Sequence, residues 1–280
     1  MVATAGSAKN LVRALALLKV LSGNPGGMSL AEVSRVGALP KPTAHRLLSV
    51  LAEAGMVRET GSGGYGLGPE CLVLGSAFLD GLDLRREARE ILEALVERTG
   101  ETCHLGIRDG DRVVYVEKVE SPQMVQLRSR IGLIAPLHTT ALGKVLLAYG
   151  EEAEVEALFA AGLEKRTANT ITDLDEFRVR LDLIRESGFA VDDVENEEGI
   201  RCVAAPVFDH DGKVVASISV SGPEYRVPSN RLEDLGKEVS DAALTLSRRI
   251  GYHRDIYNPG EESRRRRIPS SKTALELRNH

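Results

Sequence analysis

The sequence predicts an α+β fold in two parts: an N-terminal winged helix-turn-helix, then a domain on a roughly six-stranded antiparallel sheet. Three observations carry that expectation. A capped pair of short helices occupies 29–53, and a glycine-tipped strand pair follows at 56–67. From residue 101 onward, strand-length alternating runs are interleaved with amphipathic helices.

Ser7 is placed to cap a first helix over 8–21, with Leu11, Ala14, Leu15, Leu18 and Leu21 as its buried stripe. The run SGNPGG at 22–27 ends it. Ser29 and Glu32 form a capping box, so the second helix starts at Leu30. Gly37 is expected to stop that helix by taking left-handed backbone angles. A third helix begins near Pro40. Its residues Ala44, Leu47, Leu48 and Leu51 fall on one stripe, which turns Pro42, His45, Arg46 and Ser49 to the other side. Two short helices, the second with polar groups outward, are how a helix-turn-helix offers a recognition helix to the major groove. A small solvated helical hairpin would show the same pattern. The next residues favour DNA: 56–60 and 65–67 read as strands around the tip Gly61-Ser62-Gly63-Gly64, and a hairpin at that place is a wing. Its Arg58 suits a phosphate contact, with Lys41 and Thr43 on or near phosphates and His45 and Arg46 on base edges.

Composition agrees with a two-domain chain: 280 residues, 42% hydrophobic, with ample material for two cores. No apolar run has membrane-spanning length, and MVATAGSAKN lacks the order of a signal peptide. The three cysteines are too scattered for a disulfide framework, so a cytoplasmic protein is expected. The net charge of −5 is uneven: residues 1–80 carry +2, 81–252 carry −10 and 253–280 carry +3. Only the ends therefore suit DNA, and +2 implies more than one DNA-binding unit per molecule.

Residues 71–79 (CLVLGSAFL) are apolar nearly all round, and Asp83 caps a helix to about Arg98. That helix reads as a linker. Its first part, with the apolar run before it, is a candidate dimer contact, and an ordinary core helix is the equal alternative. Beyond it, strands are expected at 103–107, 112–118, 126–128, 189–191, 201–208 and 213–220, with turns at Asp109-Gly110 and Asp211-Gly212. Helices at about 140–148, 151–161, 173–187 and 228–250 are expected on one side of the sheet. The tail from His253, with the basic block Arg264 to Arg267, reads as disordered.

Three stretches resemble the IclR-type transcriptional regulators: LPKPTAHRLLSVLAEAGMV (39–57), GLIAPLHTTALGKVLLA (132–148) and DDVENEEGIRCVAAPVFDHDGKVVASISVSGP (192–223). The resemblance covers about 8–250. It implies a DNA-binding domain at 1–80, a linker and dimerisation helix at 81–100, a GAF/PAS-like effector domain at 101–252 and a tail at 253–280. It further implies a homodimer or dimer of dimers, on double-stranded and palindromic operator DNA. The effector pocket it implies lies between 132–146 and the final strands, with Ala141, Leu142, Asp192, Cys202, Ser219 and Ser221 as its residues. Ser219 and Ser221, two apart on a strand, present hydroxyls side by side, and helix-start amides near Thr140 favour an anion. The expected ligand is a small organic acid, and a repressor is expected over an activator.

Other chemistry is weakly supported. Cys202 lacks a predictable His–carboxylate partner for nucleophilic work, and Cys103, His104, His138 and Cys202 match no zinc spacing. His138 reads as a structural hydrogen-bonder at a helix start, and Glu195, Glu197 and Glu198 as a solvated acidic loop. Hydrolase, zincin and NTPase signatures are missing, so no catalytic residue, metal or cofactor is expected. The rival readings are an enzyme using Cys202 and a winged helix that binds protein.

Overall fold

The computed structural model describes residues 5–61, 63–80 and 83–253. The tail beyond 253, including Arg264 to Arg267, lies outside them. The chain divides into two compact units, with the break between Leu82 and Asp83.

The first unit contains α1 (Ala5–Ser22), α2 (Leu30–Val36), α3 (Lys41–Glu53), β1 (Val57–Glu59), β2 (Tyr65–Leu67) and α4 (Pro69–Asp80). The capping box is formed: the Ser29 hydroxyl accepts from the Glu32 amide, and Glu32 reaches back to the Ser29 amide at 2.8 Å. The core is Leu17, Leu21, Met28, Val33, Leu39, Ala44, Leu47, Leu48, Leu51 and Val57. Two expectations are corrected here. Leu11 and Leu15 of α1 are exposed and Leu17 is buried instead, while Leu21 is buried and Ala14 and Leu18 pack against the core as expected. Gly37 has φ −74, and the left-handed residue is Ala38 at φ 49. Glycine is required at 37 by space, since a Cβ there would lie 2.9 Å from both Leu17 Cδ2 and the Val33 carbonyl. The wing pairs antiparallel, and Met28 adds a bridge to Tyr65 that joins it to the helices.

The second unit contains α5 (Leu84–Thr99), β3 (Thr102–Asp109), β4 (Arg112–Val119), β5 (Ile134–Pro136), α6 (Ala141–Ala148), α7 (Glu152–Ala160), α8 (Leu174–Ser187), β6 (Ala190–Asp193), β7 (Ile200–Phe208), β8 (Val214–Pro223) and α9 (Leu232–Arg249). Its six-stranded antiparallel sheet runs β5-β4-β3-β8-β7-β6. The strand expected at 126–128 does not form. The carbonyls of Leu127 and Ser129 are instead held by Lys118 Nζ at 3.2 and 2.7 Å, and the edge strand is β5.

Helices cover both faces of the sheet, not one. On β3, Cys103 feels Arg98 of α5 and Glu238 of α9, while its neighbour His104 must point the other way. The second face carries Tyr115, Ala190, Cys202 and Ala204, packed with α6 and α8. Asp83 caps α5 as expected, accepting from the Arg85 and Arg86 amides. The apolar side of α5 (Ala88, Ile91, Leu92, Leu95 and Val96) is buried within this unit. The ordinary core-helix alternative therefore describes that side of α5.

Candidate DNA-binding and effector sites

On α3, the four apolar residues Ala44, Leu47, Leu48 and Leu51 are buried, which leaves Lys41, Pro42, His45 and Arg46 exposed and Thr43 partly so. Pro40 precedes the helix and supplies no side-chain cap; Pro42 has no N–H and the Thr43 amide donates to the Pro40 carbonyl at 2.9 Å, which leaves the Lys41 amide to an outside acceptor. A phosphate is the natural one, since that amide and the helix dipole both favour an anion there. Ser49 turns its hydroxyl back to the His45 carbonyl at 3.0 Å. Arg58 is exposed on β1 and donates through Nε to the Leu67 carbonyl at 3.2 Å, which steadies it on the wing. A helix with exposed polar side chains, beside a hairpin with a steadied arginine, can lie in a groove and grip the backbone next to it.

In the second unit, strand register brings four of the six expected effector residues together. Asp192 pairs with Cys202, Cys202 with Ser221, and Ser221 with Thr102, so these side chains form one row across β6, β7, β8 and β3. Two residues along, the next row is Ala190, Ala204, Ser219, His104 and Lys118. The Ser219 and Ser221 hydroxyls are 3.5 Å apart. Ala141 and Leu142, both buried, start α6 over this face, where the Leu142 carbonyl accepts from Ser217 at 3.2 Å. Thr140 caps the helix by accepting from the Gly143 amide at 3.0 Å. The Ala141 and Leu142 amides are then first-turn donors that the helix cannot satisfy itself.

Several residues of this site escaped the sequence reading. His104 is buried between the Ser129 hydroxyl (2.7 Å) and Ser219 (3.5 Å), and its ring lies against Tyr115 at 4.9 Å, tilted by 46°. Burial first, and then the Lys118 charge, lower its pKa to about 3, so the ring is neutral. Lys144 is fully buried on α6 and bound to the Val191 carbonyl and the Glu195 carboxylate. Glu195 is thus no solvated loop acid, in contrast to the exposed Glu197 and Glu198. The usable signal for Lys144 was a charge inside the otherwise apolar helix ALGKVLLA. Burial raises the Asp192 carboxyl to about 7, against the partial opposition of Lys144. Burial also lifts the Cys202 thiol well above its ordinary range, with Asp192 adding to the effect, so it is a poor nucleophile. Cys103 and His104 face opposite sides of the sheet and cannot share a metal ion. His138 Nε2, in the tautomer that carries its proton there, donates to the Glu164 carbonyl at 3.0 Å.

An exposed recognition helix with a wing, in a chain that also carries a separate domain with an enclosed polar site, defines a DNA-binding transcriptional regulator with an effector domain. The comparisons agree. The model of the IclR helix-turn-helix domain matches residues 10–61, and that of the bacterial transcriptional regulator IclR C-terminal matches 76–248. The chain belongs to the IclR family. It is 36% identical over 247 residues to the HTH-type transcriptional regulator XynR of Escherichia coli, covering 87% of this chain and 98% of that one. It is 31% identical over 250 residues to the acetate operon repressor of Salmonella typhimurium, covering 88% and 91%. The crystal structure of the Agobacterium tumefaciens repressor BlcR superposes with a TM-score of 0.77 at 30% identity, covering 88% and 98%. These relatives are regulators and not enzymes, so the enzyme reading of Cys202 is set aside. No helix among the described residues is long and apolar enough to cross a membrane.

Proposed function

We propose that this chain is a repressor that binds a palindromic operator as a homodimer and responds to a small organic acid. The observation that supports the ligand class is the enclosed polar face beneath the start of α6. It offers the hydroxyls of Ser219 and Ser221, the carboxyl of Asp192 and the free first-turn amides of Ala141 and Leu142. In this reading Lys41, Thr43 and Arg58 meet phosphates, Pro42 packs against the backbone, and His45 and Arg46 reach base edges.

Pairing is supported by apolar side chains left uncovered in the first unit: Leu11, Val12 and Leu15 on α1, and Leu72, Val73 and Leu74 on α4. Six exposed large apolar residues on two helices suit a second copy, and a dimer doubles a domain charge of only +2. The repressor sense rests on the acetate operon repressor and BlcR, both repressors by name. The site of action is the cytoplasm, where operator DNA is found.

The test is fluorescence anisotropy with DNA from upstream of the chain's own gene, at two salt concentrations. A salt-sensitive complex that weakens when one half-site is scrambled supports the reading. A complex indifferent to the second half-site refutes the dimer, and no sequence preference refutes the operator.

A further inference from the structure

The face beneath α6 encloses two carboxyl groups and one cation. Lys144 is fully buried, and its ammonium is committed to the Val191 carbonyl and to Glu195 Oε1. Glu195 Oε1 also accepts from the Asp193 amide at 3.3 Å, while Oε2 is buried with no partner among the described residues. Asp192 accepts through Oδ1 from the amides of Glu195 (2.8 Å) and Asn196 (3.2 Å), with Cys202 in register beside it.

The other charged or titratable groups facing Asp192 are few. Tyr115 faces it from β4 and Cys202 from β7. Glu197 and Arg166 act on Tyr115. Arg166 is exposed, donating to the Asn196 carbonyl at 2.9 Å and pairing with Glu164 at 3.6 Å. At the far end of the face, Lys118 is bound by two carbonyls and by Glu120 at 3.0 Å. The two buried cations that border the face among the described residues, Lys144 and Lys118, are therefore both in use.

With both carboxyls ionised, the group Lys144, Glu195 and Asp192 carries one net negative charge out of water. An anion arriving at the start of α6 makes it two, and the helix terminus offsets only about half a charge. Uncompensated buried charge is costly, and groups so placed neutralise instead. Asp192 is the group placed to do so. As a neutral acid it keeps both amide bonds at Oδ1 and gains an O–H donor at Oδ2 for the ligand.

We propose that a carboxylate effector enters this site together with a proton, which resides on Asp192, so that Asp192 makes effector binding pH-dependent. The inference rests on the organic-acid reading above. A carboxyl already raised to about 7 by burial titrates in the range where such coupling operates.

The test uses the full chain with acetate, glyoxylate, pyruvate, lactate and benzoate as probes, each ionised throughout. Thermal shift and titration calorimetry are run at pH 6.0 and 8.5, with calorimetry repeated in phosphate and in Tris to count protons. For the probe that stabilises most, the expected result is affinity falling roughly tenfold per pH unit above about 7, with uptake approaching one proton. Asp192→Asn should remove both effects. Equal affinity at the two pH values with no proton uptake overturns the proposal and leaves the organic-acid reading standing. So does a well-folded Asp192→Asn that keeps the wild-type pH slope. If no probe stabilises the protein at either pH, the organic-acid reading fails and the proposal goes with it. Should Asp192→Asn not fold, the wild-type proton count decides alone.

Discussion

Lys144→Met is the perturbation with the largest effect that can be worked from the structure. The lysine side chain is fully buried and its partner Glu195 is 6% exposed. Methionine keeps most of the aliphatic stem, so packing changes little. What is lost is the ammonium, which leaves the Val191 carbonyl short of a donor and Glu195 with one amide bond, from Asp193. Removing one partner of a buried pair costs about 3–5 kcal/mol, because the other charge stays behind. We expect about 3 kcal/mol, since the Asp193 amide still serves Glu195. Urea unfolding followed by tyrosine fluorescence suits the measurement: Tyr115, Tyr149, Tyr225 and Tyr252 all lie in the second unit, and the chain has no tryptophan. The double variant Lys144→Met with Glu195→Met removes both charges and should recover most of the loss, leaving about 1 kcal/mol or less. A single variant within about 1 kcal/mol of wild type, or a double variant as unstable as the sum of the singles, would refute the reasoning.

Three further outcomes are expected. Arg46→Ala should weaken operator binding by about 1–3 kcal/mol in an anisotropy titration at fixed salt, with folding unchanged. Gly143→Ala would put a Cβ 2.3 Å from the Leu137 carbonyl oxygen, so it should lower stability by about 1–3 kcal/mol or more, read as a lower urea midpoint. His104→Gln tests a pH dependence. The folded-state pKa of His104 is lowered to about 3, so its contribution is fully present above the unfolded value near 6.5 and is lost as pH falls toward 3. Asp192, raised to about 7, works in the opposite sense: its contribution is present below about 4 and lost as pH rises through 7. The difference between wild type and His104→Gln isolates the histidine, and it should shrink as pH falls from 6.5 to 4. A difference that stays constant over that range would show that the ring is not held neutral.

The winged helix was legible because its signals are local. Ser29 and Glu32 are three residues apart, and the stripe on α3 is a short periodic pattern on a polar background. On α1 the same method placed Leu21 in the core and Ala14 and Leu18 against it, but misassigned Leu11 and Leu15 and passed over Leu17. The run LVRALALLKVL is apolar at nearly every turn, so periodicity could not separate Leu11 and Leu15, which are exposed, from Leu17, which is in the core. In the second unit, turns located most strands, but the strand-like residues at 126–128 lie in a segment whose Leu127 and Ser129 carbonyls are held by Lys118 from β4. Lys144 and Glu195 are 51 residues apart, and charged residue types are read as solvated by default. Their pairing depends on tertiary structure, which local pattern does not encode. His104 came up only as an unconvincing zinc ligand, and its place between Ser129 and Ser219 is set by register.

That register also bears on how a ligand at this site would be felt elsewhere in its own unit. Adjacent residues on a strand face opposite sides, so β3 and β4 each belong to the polar face and to the packing under α5 at once. On β4, Lys118 holds the Leu127 and Ser129 carbonyls on the polar side, while Glu117 on the other side is clamped by Arg85 at 2.7 Å and Arg89 at 3.3 Å, both from the first turns of α5. Glu117 is 3% exposed, so this clamp is not a loose surface pair. On β3, His104 faces Ser219 while Cys103 and Leu105 are buried on the opposite side. A ligand that moves the β3 or β4 backbone at His104 or Lys118 would also move the strands that anchor the beginning of α5, the end of the helix that follows the first unit in the chain. Arg85→Ala should then leave effector affinity nearly unchanged while reducing the change in operator affinity that the effector produces. Equal loss of both would mean that the clamp only supports the fold.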